Sequence, residues 1–234
     1  MNSIIVTGGS GGIGRCIVES LLKNYKVYNL DKQTPEKKME GETFLRVDLT
    51  SADNINSALY SIKKETLSGF VHCAGFGGPF VDISKVTEEL WDKIFSINIK
   101  AAYLLSKEIL PEFKKRLYGR LVVIASSQSV VGAKNSVAYS SSKHALIGFV
   151  KSLADEWGEY GITANAISPG YVETPMGVQD VQVSNHRQII LDKTPSKRTA
   201  APEEIARVVD FLISKESGYI NGANFVVDGG ITAI

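Results

Sequence analysis

Short, nearly unbroken apolar runs alternating with amphipathic stretches constrain this chain more than any other feature. Ile4-Ile5-Val6, Val27-Tyr28-Asn29-Leu30, Phe44-Leu45-Arg46-Val47, Gly69-Phe70-Val71-His72, Gly119 through Ile124, Ala164-Asn165-Ala166-Ile167 and Asn224-Phe225-Val226-Val227 all read as strands. A strand with apolar residues on both faces needs cover on each side, which a parallel sheet wrapped by crossover helices supplies. A helix opens at Ile13 and runs through Leu22, and helices are clearest from Ala101 to Leu117, Ala138 to Trp157 and Pro202 to Ile213, the last with proline at a first-turn position. Leu146, Phe149, Val150, Leu153 and Trp157 form a stripe at helical spacing, which packing explains. The expectation is a doubly wound α/β fold, a parallel sheet with helices on both faces.

Length and charge narrow the class. With 234 residues and 44% apolar content, residues 1–234 suit a single domain with a sizeable core, without repeats or a low-complexity linker. A formal net charge of +1 gives no electrostatic case for nucleic acid or an anionic membrane. No apolar run approaches the ~20 residues that span a bilayer. The first strand begins almost at Met1, leaving no room for a signal or transit peptide, so a cytoplasmic location is expected. Cys16 and Cys73 form no CxxC and read as reduced, structural thiols. With no His pair at ligand spacing and no Cys cluster, a metal site has no support. Two stretches lack a pattern. Asp31 to Thr43 is charged and too short for a crossover helix, and 174–198, with Pro175 and Pro195, is a candidate lid.

Thr7-Gly8-Gly9-Ser10-Gly11-Gly12-Ile13-Gly14 lies between the first strand and the first helix. Glycines there let backbone approach a ligand closely, and the following helix offers free N–H groups to a pyrophosphate. The string fits G-x-G-x-x-G through Gly9, Gly11 and Gly14, or T-G-x-x-x-G-x-G through Gly8, Gly12 and Gly14. Arg15-Cys16 stands where a Walker A loop needs Lys-Ser/Thr, which excludes that reading. Asp31 ends the second strand, where a carboxylate bonds adenosine ribose hydroxyls and repels a 2′-phosphate. NAD(H) is therefore favoured. Lys32 beside it keeps NADP(H) open as the alternative.

Tyr139 and Lys143, in Ala138-Tyr139-Ser140-Ser141-Ser142-Lys143, stand at i and i+4 on one helix face. A cation beside a phenol favours its ionised form and lets it exchange protons near neutrality. Together, Thr7-Gly8-x-x-x-Gly12-x-Gly14 and Tyr139-x-x-x-Lys143 resemble the classical short-chain dehydrogenase/reductase family, with β-ketoacyl carrier-protein reductases as the leading subtype. The resemblance runs in order along nearly the whole chain. Asp48-Leu49 is similar to the family's adenine-contacting pair, His72-Cys73-Ala74-Gly75 to its Asn-Asn-Ala-Gly segment, and Asn98 to its helix asparagine. Ser126 lies thirteen residues before Tyr139, the spacing of the family's serine, with Ser127 as the rival. Pro169-Gly170-Tyr171-Val172-x-Thr174 resembles the segment that closes over nicotinamide, and Tyr219 through Gly230 the C-terminal strand and turn. His72 departs from the usual asparagine, and Gly11 from the Arg or Lys of NADP-preferring members.

The resemblance implies a Rossmann-type domain and hydride transfer between nicotinamide and a ketone or secondary alcohol. Tyr139 would be the general acid/base, Lys143 its activator and the holder of the nicotinamide ribose, Ser126 a donor to the substrate oxygen, and Asn98 the anchor of a water linking Lys143 to solvent. Gly8, Ser10, Gly12, Ile13, Gly14, Asp31, Asp48, Leu49, Ala74, Gly75, Pro169, Val172 and Thr174 would line the cofactor. A homodimer or homotetramer through the Ala101–Leu117 and Ala138–Trp157 helices is likewise implied. Substrate choice is expected from Phe76 to Phe80, Gln128, Val130, Tyr171 and the Met176 to Ile190 segment, with His186 a candidate contact and His144 a surface residue. Two alternatives stay open: an NAD-dependent dihydrodiol dehydrogenase forming a catechol, and a nucleotide-sensing protein without catalysis.

Overall fold

The structure is a computed structural model that describes residues 2–62, 64, 67–174 and 186–233. Its elements run β1 (Ser3–Thr7), α1 (Gly12–Leu21), β2 (Lys26–Asp31), β3 (Glu42–Arg46), α2 (Ala52–Ser61), β4 (Leu67–His72), α3 (Glu88–Phe95), α4 (Ala101–Lys115), β5 (Gly119–Ile124), α5 (Val137–Trp157), β6 (Ile162–Pro169), α6 (His186–Lys193), α7 (Pro202–Ile213) and β7 (Asn224–Val227). The strands form one sheet in the order β3-β2-β1-β4-β5-β6-β7, and every pair is parallel. This is the doubly wound, Rossmann-type sheet expected from the apolar runs.

The two-sided burial follows from strand alternation. Ile4, Val6, Val71, Val122 and Ile124 point to one face and pack with Ile17, Val18 and Leu21 of α1 and Ile205, Val209 and Leu212 of α7. Ile5, Phe70, Leu121 and Val123 point to the other, against Ile55 and Leu59 of α2, Leu105, Ile109 and Phe113 of α4, and Leu146 and Val150 of α5. The stripe on α5 is therefore core, as its spacing suggests. The strand order reverses between β1 and β4, so the connections that leave these two neighbouring strands turn to opposite sides. The carboxyl ends of these two strands open a crevice, the usual ligand position in such sheets.

The segment between β2 and β3 has no helix, as its composition predicts. Instead it is pinned by side chains. Arg15 on α1 pairs with the buried Glu42 at 2.8 Å and donates to the Lys37 carbonyl, and Glu42 also accepts from Asn29 Nδ2 at 2.8 Å and from the Met39 amide. Burial works to raise the Glu42 pKa, but these hydrogen bonds prevail and hold it low. Helix α2, helix α3 and a turn of π-helix at Ser96–Lys100, joining α3 to α4, add to the elements read from the sequence. Of the candidate lid, α6 and residues 194–198 are described. Residues 175–185, with Met176 and Val178, lie outside the described residues, as do the side chains of His186 and Arg187.

Candidate active site

The glycine turn occupies the β1 side of the crevice. Gly8 has φ +71°, and a Cβ there would sit 2.8 Å from the backbone of Ala74, so the turn and the segment after β4 touch main chain to main chain. Helix α1 starts at Gly12 with no side chain capping it and no acidic residue in its first turn. Its first amides, from Gly12, Ile13 and Gly14, are thus left for an anion, and the helix dipole favours one. A Cβ on Gly12 would meet Thr174 at 3.4 Å, which brings the segment after β6 back over the turn. Val172 is buried and bridges Ala200. Pro169 closes β6.

Asp31 reaches the same turn. Its Oδ2 accepts from the Ser10 amide at 3.0 Å and its Oδ1 from the Gln33 amide at 2.9 Å. Lys32 turns to Asp48, with Nζ 2.9 Å from Oδ2. Hydrogen bonds from the Thr50 side chain, then Lys32 and the Thr50 amide, lower the Asp48 pKa to about 2. Leu49 beside it packs against the core. Gly11 has open space where a side chain would be.

On the other side of the crevice, α5 carries Tyr139 and Lys143. Lys143 is only 3% exposed; its Nζ donates to the Ile124 carbonyl at 2.7 Å and lies 5.7 Å from the centre of the Tyr139 ring. Burial lowers the ammonium pKa to about 8. A Cβ on Gly75 would stand 3.4 Å from that Nζ and 3.7 Å from Asn98 Oδ1. Glycine therefore keeps clear a space bordered by lysine and asparagine, facing the glycine turn.

Ser126 follows β5. Its Oγ accepts from the Gln128 amide at 3.1 Å, which leaves the hydroxyl hydrogen available to another acceptor. Gln128 Oε1 accepts from Ser136 and from Ser140 at 2.8 Å, residues on either side of Tyr139, and so ties the serine turn to α5. Ser127 begins the short 3₁₀ turn that Ser126 caps. Asn98 sits in the π-turn. Its Oδ1 accepts from the Phe76 amide at 2.8 Å, and its Nδ2 donates to the Phe76 carbonyl at 3.1 Å and Ser142 Oγ at 2.9 Å. Its side chain is thus a clamp on the loop after β4, a role the sequence reading did not include. The Ile124 carbonyl, Ser142 and the Ser129–Ser168–Asn224 hydroxyl chain, with contacts of 2.7 Å, were also not foreseen. A serine leaves no spacing signal of its own, and a carbonyl leaves none in any sequence.

Beside Tyr139 lies a mostly apolar cleft. Phe80 meets the Tyr139 ring edge-on, with centres 6.2 Å apart, and Val86, Leu90, Ile94 and Val137 line the same cleft. Lys93 lies over the Phe76 ring at 4.5 Å. His144 is on the exposed side of α5 and contacts the Ser140 carbonyl. Among the described residues no cluster of three His, Cys, Asp or Glu side chains could hold a metal, and no helix is long and apolar enough to cross a membrane.

A glycine turn, an acid at the β2 end, and a serine, tyrosine and lysine on the α5 side thus surround one crevice. A family model described as enoyl-(acyl carrier protein) reductase matches residues 10–232. The chain belongs to the short-chain dehydrogenase/reductase family. It is 30% identical to the 3-oxoacyl-[acyl-carrier-protein] reductase of Mycobacterium tuberculosis over 233 residues, 98% of this chain and 92% of the relative. Its fold superposes on 4-hydroxyisoleucine dehydrogenase complexed with NADH at a TM-score of 0.93, with 27% identity and both chains covered in full. ElxO with NADP bound gives 0.92 and 26%, covering 100% of this chain and 99% of the other. The chain is an NAD(P)-dependent oxidoreductase acting on CH–OH and C=O groups.

Proposed function

We propose that this chain interconverts a ketone and a secondary alcohol with Tyr139 as general acid/base, and that it prefers NAD(H) to NADP(H). The observation that carries the reading is the buried Lys143, whose ammonium lies beside the Tyr139 ring and borders the space kept open at Gly75. The bound nicotinamide supplies the hydride in reduction and accepts it in oxidation. Everything else falls to side chains and amides of the chain.

The turn Gly8, Ser10, Gly12, Ile13 and Gly14 holds the pyrophosphate on the open amides of α1. Asp31 takes the adenosine ribose, Asp48 and Leu49 flank the adenine, and Ala74, Gly75, Pro169, Val172 and Thr174 border the nicotinamide half. Ser126 donates its free hydroxyl hydrogen to the substrate oxygen as charge develops there. Tyr139 delivers a proton to that oxygen in reduction or removes it in oxidation, and Lys143 stabilises the phenolate between turnovers. Asn98 holds Phe76 in place and borders the Lys143 space, where a water would lead protons to solvent.

The NAD(H) preference is supported by three features together. The Asp31 carboxylate faces the turn, Lys32 is engaged by Asp48, and Gly11 contributes no cation. The apolar cleft of Phe80, Val86, Leu90 and Ile94 favours a substrate with a hydrocarbon flank, such as a 3-oxoacyl thioester. Exposed Tyr103 on α4, Phe211 on α7 and Val226 on β7 are consistent with a homodimer or homotetramer.

The test is a spectrophotometric screen of NADH and NADPH against acetoacetyl-CoA, cyclic ketones, steroids and sugars, with cyclic diols and NAD in the reverse direction. Turnover with NADH exceeding that with NADPH is expected. No turnover of any carbonyl or alcohol, or equal use of both cofactors, would overturn the corresponding part of the proposal.

A further inference from the structure

His72, where the family carries asparagine, is fully buried at the end of β4, and both its ring nitrogens are engaged. Nε2 lies 3.2 Å from the carbonyl oxygens of Ile97 and Asn98. Nδ1 lies 2.9 Å from Thr7 Oγ1, and the Ala74 amide donates to that same Oγ1 at 3.3 Å. Carbonyl oxygens only accept, so Nε2 carries the hydrogen. Burial, with the Lys143 ammonium nearby, lowers the His72 pKa to about 3 and keeps the ring neutral. Nδ1 is then the acceptor and the Thr7 hydroxyl the donor.

The Thr7 end of the ring adds to the β1–β4 pairing, in which Thr7 and His72 are register partners, whereas the Nε2 end reaches a turn that no strand pairing holds. Thr7 is the last residue of β1 and opens the glycine turn. Ile97 and Asn98 lie in the π-turn between α3 and α4, where the regular carbonyl ladder is interrupted. From there the Asn98 side chain reaches Phe76 on the substrate side and Ser142, the neighbour of Lys143 on α5.

We propose that His72 is a positioning residue: from the end of β4 its Nε2–H holds the Ile97 and Asn98 carbonyls, and through Asn98 it places the Phe76 loop beside the reacting groups. The inference rests on the proposed reaction only for its consequence in turnover. An amide side chain cannot do both jobs, because asparagine reaches only the Nδ1 position and glutamine only the Nε2 position.

That difference supplies the test. His72→Gln keeps the donor to the π-turn and gives up Thr7, whereas His72→Asn does the reverse. Hydrogen exchange of the Phe76 amide, held by Asn98 Oδ1, is read in the full chain with NADH bound, with β5 and β6 amides as internal controls. Expected is a tenfold or larger acceleration at Phe76 in His72→Asn, little change in His72→Gln, and unchanged controls in both. Nitrogen-15 spectra of the unmutated protein should show the neutral Nε2–H ring throughout the neutral range. Equal effects of the two variants at Phe76, effects spread over the control amides, or a ring protonated near neutrality would each overturn the proposal. Acetoacetyl-CoA reduction in the same samples should follow Phe76 protection rather than melting temperature. The exchange and the spectra need no turnover, so failure of the ketone reading would leave them intact.

Discussion

The two ends of the crevice are built from different physics. Around Lys143 the groups are buried and joined mostly by neutral hydrogen bonds: Asn98 to Phe76 and Ser142, Gln128 to Ser136 and Ser140, His72 to Thr7 and the π-turn. Around Asp31 the side-chain contacts that matter are charged and closer to water, and Lys32, paired with Asp48, is 75% exposed. A buried hydrogen bond is costly to break because the partner left behind has no water to turn to. An exposed ion pair contributes little and is screened by salt. The reacting end should therefore respond to substitution by large losses of rate, and the adenosine end by modest shifts of preference.

Tyr139→Phe is the sharpest way to break that contrast. It should cost roughly 10²- to 10⁴-fold in kcat, with NADH affinity nearly unchanged in a fluorescence titration. Ser126→Ala should follow at roughly 10²-fold, since one donor to the developing oxyanion is lost while the chain around it stays packed. Retained turnover in either would move the chemistry away from α5. Asp31→Ala is expected to narrow the NADH over NADPH ratio of kcat/KM by about tenfold, as one carboxylate's contribution is removed. The smallest effect belongs to Asp48→Asn, which frees Lys32. A gain for NADPH of about two- to threefold, vanishing at high salt, fits an exposed pair. A larger, salt-insensitive gain would show that the adenosine end is as tightly built as the reacting end.

Acidity tests the buried end as well. Lys143 drops from the usual 10.5 to about 8 on folding. Between those values the unfolded chain holds a proton that the folded chain has shed, so this group's contribution to stability rises with pH across that window. In turnover the direction is opposite: ketone reduction should fall as pH rises through about 8, when Lys143 loses its charge and the proton supply with it. His72 drops from 6.5 to about 3, so its contribution is present above 6.5 and is lost as pH falls toward 3. Chemical denaturation followed from pH 4 to 10 in the unmutated protein and in His72→Gln should show the acid loss diminish in the variant.

Much of this is legible in the sequence. Alternation of apolar runs with helices is a local signal, and it predicted the parallel sheet and the strands from β1 to β7. Tyr139 and Lys143 lie one helical turn apart, and the glycine turn is continuous in sequence, so both could be read directly. Asp31 could be read because it stands at a strand end. Asn98 was picked out by resemblance, yet its clamp on Phe76 spans 22 residues and depends on a π-turn that no periodicity announces. The engagement of Lys32 by Asp48 was also hidden, since the partner follows only after β3.

Sequence by itself determined the sheet, its two-sided cover, the glycine turn and the tyrosine–lysine face, because each is set by the period of one segment. Only the tertiary structure decided which cation is buried and how His72 holds the Asn98 turn. Those depend on burial and on hydrogen bonds between residues far apart in the chain, and such distances are fixed when the elements pack.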